Sequence, residues 1–122
     1  MMLSLSMGSK GEEVDLAGLV EGSDEVDDRV PHGKVLARFA EAVISGTNDE
    51  LAAARQAVIE AVGGDGFVDA AAVVGNFERM VRVADATGIP LDETAADATV
   101  DLRKDLGLNA YGMADRTPGV TR

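Results

Sequence analysis

The chain contains no cysteine and no tryptophan, and its only histidine is His32. Without thiols it can build neither a disulfide nor a thiolate metal centre, and thiol-based peroxidase or redox chemistry is excluded. One imidazole is too few for a histidine-rich zinc site, so no metal and no cofactor is expected. Aromatic residues are scarce as well: Phe39, Phe67, Phe77 and Tyr111 are the full set. The core must therefore come from Val, Leu, Ile, Ala and Met, which favours closely packed helices. Basic residues are also few, 11 Lys and Arg against 22 Asp and Glu, for a formal net charge of −11. Such a surface repels phosphate backbones, because nucleic-acid binding needs clustered Lys and Arg to displace counterions. No stretch approaches the roughly 20 apolar residues required to cross a bilayer, and residues 1–7 lack the basic flank and long apolar run of a signal peptide. The expectation is a cytoplasmic protein that uses neither nucleic acid nor membrane as partner, and the missing cysteines agree with that compartment.

With 122 residues, 46% of them hydrophobic, the chain has material for one domain. Its first part is different in kind. Residues 1–33 carry Glu12, Glu13, Asp15, Glu21, Asp24, Glu25, Asp27 and Asp28 against Lys10 and Arg29, with Gly and Ser interspersed. This composition reads as a mobile acidic arm. Val14, Leu16, Leu19 and Val20 interrupt it and supply a helical turn able to dock on the body or on a partner.

From residue 34 to 108 the pattern is all-α, a small bundle of about four helices. Val35, Leu36, Phe39, Ala40, Val43 and Ile44 recur at helical spacing and mark the first helix. Gly46 is placed to end it in the left-handed conformation, and Thr47 with Glu50 has the spacing of a capping box that opens the second, over 48–62. Gly63 and Gly64 stop that helix. The third, over 66–87, gives the strongest signal, with Val73, Val74, Phe77, Met80, Val81 and Ala84 on one face, and is expected at the centre of the fold. Gly88 and Pro90 end it. Asp92 is placed to cap a fourth helix over 93–106, with Leu91 and Ala96 as a hydrophobic staple, and Gly107 closes it. Residues 109–122 read as a loose tail.

Few side chains are candidates for chemistry. Asp24, Glu25, Asp27 and Asp28 are the right type for a hard cation, but their spacing is not that of an EF-hand loop, and a solvated acidic run explains them better. His32, between Pro31 and Gly33 at a helix start, is either a general base or a surface histidine. On the polar side of the third helix stand Glu78, Arg82 and Asp85. Arg82 could clamp a carboxylate with one of the acids as base, or the three could form a solvated face stabilised by neighbouring pairs. Asn76, at the edge of the apolar face, could fix packing or meet a ligand. Gly75 costs the helix roughly 1 kcal/mol relative to alanine, which suggests a close helix crossing or simple tolerance. Gly63, Gly64 and Gly66 precede a helix without the Lys and Ser/Thr of a phosphate loop, and are read as a turn.

The run from Val68 to Glu93, VDAAAVVGNFERMVRVADATGIPLDE, resembles the C-terminal helix pair of the alkylhydroperoxidase D-like superfamily, which also contains the carboxymuconolactone decarboxylases. Its most specific part is Asn76-Phe77-x-Arg79-Met80-Val81-x-Val83-Ala84-Asp85, leading into Gly88-Ile89-Pro90. The likeness extends to the two preceding helices, over residues 35–106. It implies a helical bundle that assembles into symmetric oligomers. The peroxidase members of that family use a Cys-x-x-Cys pair with a nearby His and Glu, and no position here can take over that role. The decarboxylase branch does not need the cysteines, but none of its acid/base residues maps onto this chain.

Two functions are consistent with these features. One is a non-catalytic, degenerate member of the family that works through self-association or by packing on another protein. The other is an enzyme performing cysteine-independent acid/base chemistry on a small organic acid, with Arg82, Asp85, Glu78 and His32 as its candidate residues. A third class, in which the acidic arm captures a basic protein surface through residues 12–28, is separated from both by deleting the arm.

Overall fold

A computed structural model describes residues 18–27, 29–112 and 114–119. Among these residues every regular element is helical, in agreement with the composition and periodicity. The helices are α1 (Gly18–Glu21), α2 (Gly33–Ser45), α3 (Asn48–Thr87), α4 (Glu93–Ala98) and α5 (Val100–Asp105), with three-residue 3-10 turns at Ser23–Glu25, Leu108–Ala110 and Ala114–Arg116. The chain divides into two compact units, residues 1–76 and 77–122.

In the first unit the core lies between α2 and the first part of α3. Phe39, Ala42, Ala54 and Val58 are buried there, and Val58 is fully enclosed. Val35, Leu36, Leu51, Val62, Phe67, Ala70 and Val74 pack around them. The Phe39 and Phe67 rings meet edge to face, with centroids 5.6 Å apart and planes at 63°. Small residues at 42 and 54 let the two helices approach, as the shortage of aromatics implied.

Local signals set the helix ends. The Thr47–Glu50 capping box is formed in both directions: the Glu50 carboxylate accepts from the Thr47 N–H at 2.7 Å, and the Thr47 hydroxyl accepts from the Glu50 N–H at 3.3 Å. Gly46, expected in the left-handed conformation, is extended instead (φ −77°, ψ 161°). Its glycine requirement has another cause, since a Cβ at this position would sit 2.7 Å from the Ala42 carbonyl oxygen.

The second and third helices anticipated from sequence are the two helical parts of α3, separated by a kink at Gly63, which is non-helical (φ 78°, ψ 176°). Gly63 ends the first of them in a conformation that glycine alone adopts readily, and helical geometry resumes at Gly64. Residues 18–27, counted with the acidic arm by composition, make defined contacts. Val26 and Ser23 are buried, Arg38 pairs with Asp24, and the Ser23 N–H donates to the Glu41 carboxylate at 3.0 Å. Gly18 lies so near the backbone of Glu25 that a Cβ would fall 2.0 Å from its carbonyl oxygen. Of the apolar group proposed to dock, Val20 is 40% exposed, while Val14 and Leu16 lie outside the described residues.

The second unit holds the end of α3 and everything after it. Gly88 (φ 67°) takes the left-handed cap conformation, with its N–H and that of Ile89 both donating to the Ala84 carbonyl. Asp92 caps α4 through its side chain, which accepts from the Ala95 N–H at 2.9 Å. The single fourth helix of the sequence reading is two, α4 and α5, broken at Thr99 (φ −117°, ψ 12°). The buried Thr99 hydroxyl donates to the Ala95 carbonyl at 2.6 Å and also meets the Arg103 guanidinium, an alternative to regular helix bonding that short hydroxyl side chains offer. In the segment read as a tail, Ala114 is buried and the Arg116 guanidinium lies 3.6 Å from where a Gly88 Cβ would stand.

Candidate functional site

A cleft of about 540 Å³ opens in the first unit between α2, the start of α3 and the turn at Ser23. Arg38, Glu41, Ala42 and Ser45 reach it from α2, and Glu50, Ala53, Ala54 and Ala57 from α3. Both sets follow the i, i+3, i+4, i+7 spacing that places residues on one helix face. Small residues form its walls and floor, and charge is confined to the rim. The Arg38 guanidinium is paired with Asp24, which leaves two rim carboxylates, Glu41 and Glu50, in excess. Glu50 is held below the ordinary carboxylate range, first by the backbone hydrogen bond from Thr47 and then by the Thr47 hydroxyl, so it stays anionic. The alanine spacing at 53, 54 and 57 with Ala42 was visible in the sequence, but alanine is as common in helix cores as in clefts.

The residues singled out for chemistry do not form such a cleft. Arg82 and Glu78 make an i, i+4 pair at 3.6 Å with the Arg82 side chain 74% exposed, and Asp85 is exposed. They form a solvated stripe. His32 is exposed, takes a left-handed backbone (φ 56°) at the N-cap of α2, and borders a shallow cleft of about 160 Å³ with Asp27 and Lys34. Asn76 is on the surface, so burial of its amide fixes nothing. Gly75 has open space where a Cβ would be, which removes the close helix crossing as its explanation. Among the described residues no group of three or more His, Asp or Glu could hold a metal ion, and no helix is long and apolar enough to cross a membrane.

The strongest departure from expectation is on the last three turns of α3. Val73, Phe77, Met80, Val81 and Val83 are between 47% and 57% exposed. Of the face that periodicity placed at the centre of the fold, Val73, Phe77, Met80 and Val81 are open, whereas Val74 packs against the core of the first unit and Ala84 is half-buried. Around it Arg79 and Arg82 are balanced by Glu78 and Asp85. No family model, curated protein or solved structure matches the chain. The functional reading therefore stands on the cleft, this face and the residues between Val68 and Glu93.

Proposed function

We propose that the chain is a non-catalytic helical module, a degenerate relative of the alkylhydroperoxidase D-like proteins, that works in the cytoplasm by self-association through the exposed face of α3. The observation that supports this reading is the half exposure of Val73, Phe77, Met80 and Val81 on consecutive turns of a single helix. Half of a phenylalanine alone is on the order of 100 Å², and the four side chains together reach the few hundred Å² at which an apolar patch marks an interaction site. A second copy is the proposed partner; Arg79 and Arg82 are offset by Glu78 and Asp85, so this stretch is locally neutral, and the net charge of −11 makes association stronger as salt rises. The patch is smaller than the roughly 800 Å² per partner of a standard stable interface, so the association is concentration-dependent. An acid/base site at Arg82, Glu78 and Asp85 is disfavoured by their solvation, which gives a substrate no enclosed position.

Sedimentation velocity of the full chain across a wide concentration range tests the proposal. A monomer–oligomer equilibrium that Phe77→Asp shifts to monomer is expected. A wild-type chain that stays monomeric at every concentration, or a Phe77→Asp chain that assembles like wild type, overturns it.

A further inference from the structure

We infer that the alanine-lined cleft between α2 and the start of α3 is the seat of the chain's own residues 3–10, which lie outside the described residues: Leu3, Leu5 and Met7 dock between the two helix faces, and Lys10 meets the carboxylate rim. This contact is independent of self-association through α3, and cleft and segment both belong to the first unit.

The first support is pattern. Residues 1–7 read Met-Met-Leu-Ser-Leu-Ser-Met, so Met1, Leu3, Leu5 and Met7 alternate with Met2, Ser4 and Ser6. Alternation of period two puts the odd positions on one side of an extended segment. At about 3.3 Å per residue, Leu3 and Leu5 stand about 7 Å apart in such a segment, and Leu3 and Met7 about 13 Å apart. The helix faces that line the cleft run from Arg38 to Ser45 and from Glu50 to Ala57, each about 10 Å long at 1.5 Å per residue. Two or three of the odd side chains fit that length. Ala42, Ala53, Ala54 and Ala57 leave a volume of about 540 Å³, within the range of about 300–1,000 Å³ typical of binding clefts, and Leu and the unbranched Met are suited to fill such a recess.

The second is charge. On the cleft rim Arg38 is paired with Asp24, whereas Glu41 and Glu50 have no cationic partner among the described residues. One oxygen of each is engaged, Glu41 Oε1 by the Ser23 N–H and Glu50 Oε2 by Thr47, which leaves Glu41 Oε2 and Glu50 Oε1 to accept from a cation. Such a rim repels the stretch that carries Glu12, Glu13 and Asp15. Residues 1–11 contain no acid and one cation, Lys10. Of the residues that precede Gly18, only this stretch matches the rim in charge.

The third is reach. The described chain begins at Gly18, and the short helical turn of α1 separates it from Ser23, which lines the cleft. Residues 8–17 span up to about 33 Å when extended, so the segment can turn back onto the cleft without strain. While seated, it closes the cleft to any other molecule.

Because the chain has no cysteine, an engineered pair reports this contact without background thiols. In the full chain, Leu5→Cys is combined either with Ala53→Cys on the cleft wall or with Ala52→Cys, which is exposed and about 100° round the same helix. A disulfide needs Cα atoms about 4.4–6.8 Å apart. The Ala53→Cys pair is expected to oxidise to a cross-linked monomer at least about 10-fold faster than the Ala52→Cys pair, because seating raises the effective concentration of the position-5 thiol at one face only. Adding Leu3→Asp and Met7→Asp is expected to abolish the difference. Thermal melts followed by circular dichroism verify that each variant is folded. Equal rates for the two pairs overturn the contact and leave the cleft to a ligand from outside the chain. A preference seen only as cross-linked dimer overturns it in favour of the same segment from a second copy. A preference that survives Leu3→Asp and Met7→Asp overturns docking through the apolar side chains.

Discussion

Replacing Phe39 and Phe77 by alanine, one at a time, separates the core from the open face more sharply than any other pair of changes. Both phenylalanines lie on the apolar face of an amphipathic helix, and periodicity placed Phe77 on the helix expected at the centre of the fold. In the structure Phe39 is 2% exposed, against Ala42, Ala54 and Val58 and edge to face with Phe67, whereas Phe77 is 52% exposed. Truncating a buried phenylalanine loses its transfer free energy and leaves a cavity, at a cost of about 3–5 kcal/mol. A domain of this size is stable by about 5–15 kcal/mol, so Phe39→Ala removes a large share of the total. Phe77→Ala in dilute solution leaves no cavity and is expected to change stability by about 0.5 kcal/mol or less. Urea denaturation followed by far-ultraviolet circular dichroism at low micromolar protein measures both. Under the proposed self-association the Phe77→Ala deficit grows at higher concentration, because wild type would gain stability from association and the variant would not. Equal costs for the two substitutions in dilute solution would refute this placement of the core.

Glycine positions supply a second set of outcomes. Gly75→Ala meets open space in a regular helix and should stabilise by about 1 kcal/mol in thermal or urea melts, while Gly63→Ala forces a side chain into φ 78° and should destabilise. Asp92→Ala removes the side-chain acceptor for the Ala95 N–H and should cost about 1 kcal/mol in urea melts. The Glu50 carboxyl is lowered in the folded state, so its contribution to stability is complete above the ordinary glutamate value of about 4.3 and is lost as pH falls through the depressed folded value. Glu50→Ala should flatten that part of the stability–pH curve, as measured by melts between neutral and acidic pH.

Features that depend on a few neighbouring residues were legible in the sequence. The Thr47–Glu50 box, the Asp92 cap, the Gly88 terminus and the helical class all follow from side chains within one turn of each other or from apolar spacing. Burial depends on what lies opposite. Periodicity showed that Val73, Phe77 and Met80 share a face, but it reports sidedness and carries no information on whether a partner element covers that face. The Thr99 break was hidden for a similar reason, since it arises from a hydroxyl and a guanidinium four residues apart that regular helix rules would leave in place. At Gly46 the residue type was anticipated and its cause was not, because the close approach to Ala42 is a contact and leaves no separate mark in composition. Of the candidate site, the charged stripe was visible at once as residues four apart, while the cleft emerged only when α2 and α3 were brought side by side.

All eleven side chains of the core and its immediate surround fall between residues 35 and 74, and its two most central helices are joined by only Gly46 and Thr47. Contacts this local close short loops, the condition under which helical proteins fold in microseconds to milliseconds. Synthesis at about 5–20 residues per second is far slower. The core can therefore form as soon as residue 74 has left the ribosome, and Phe77, Met80 and Val81 then emerge onto a body already folded. The self-association proposed above would then begin from folded subunits rather than from nascent chains.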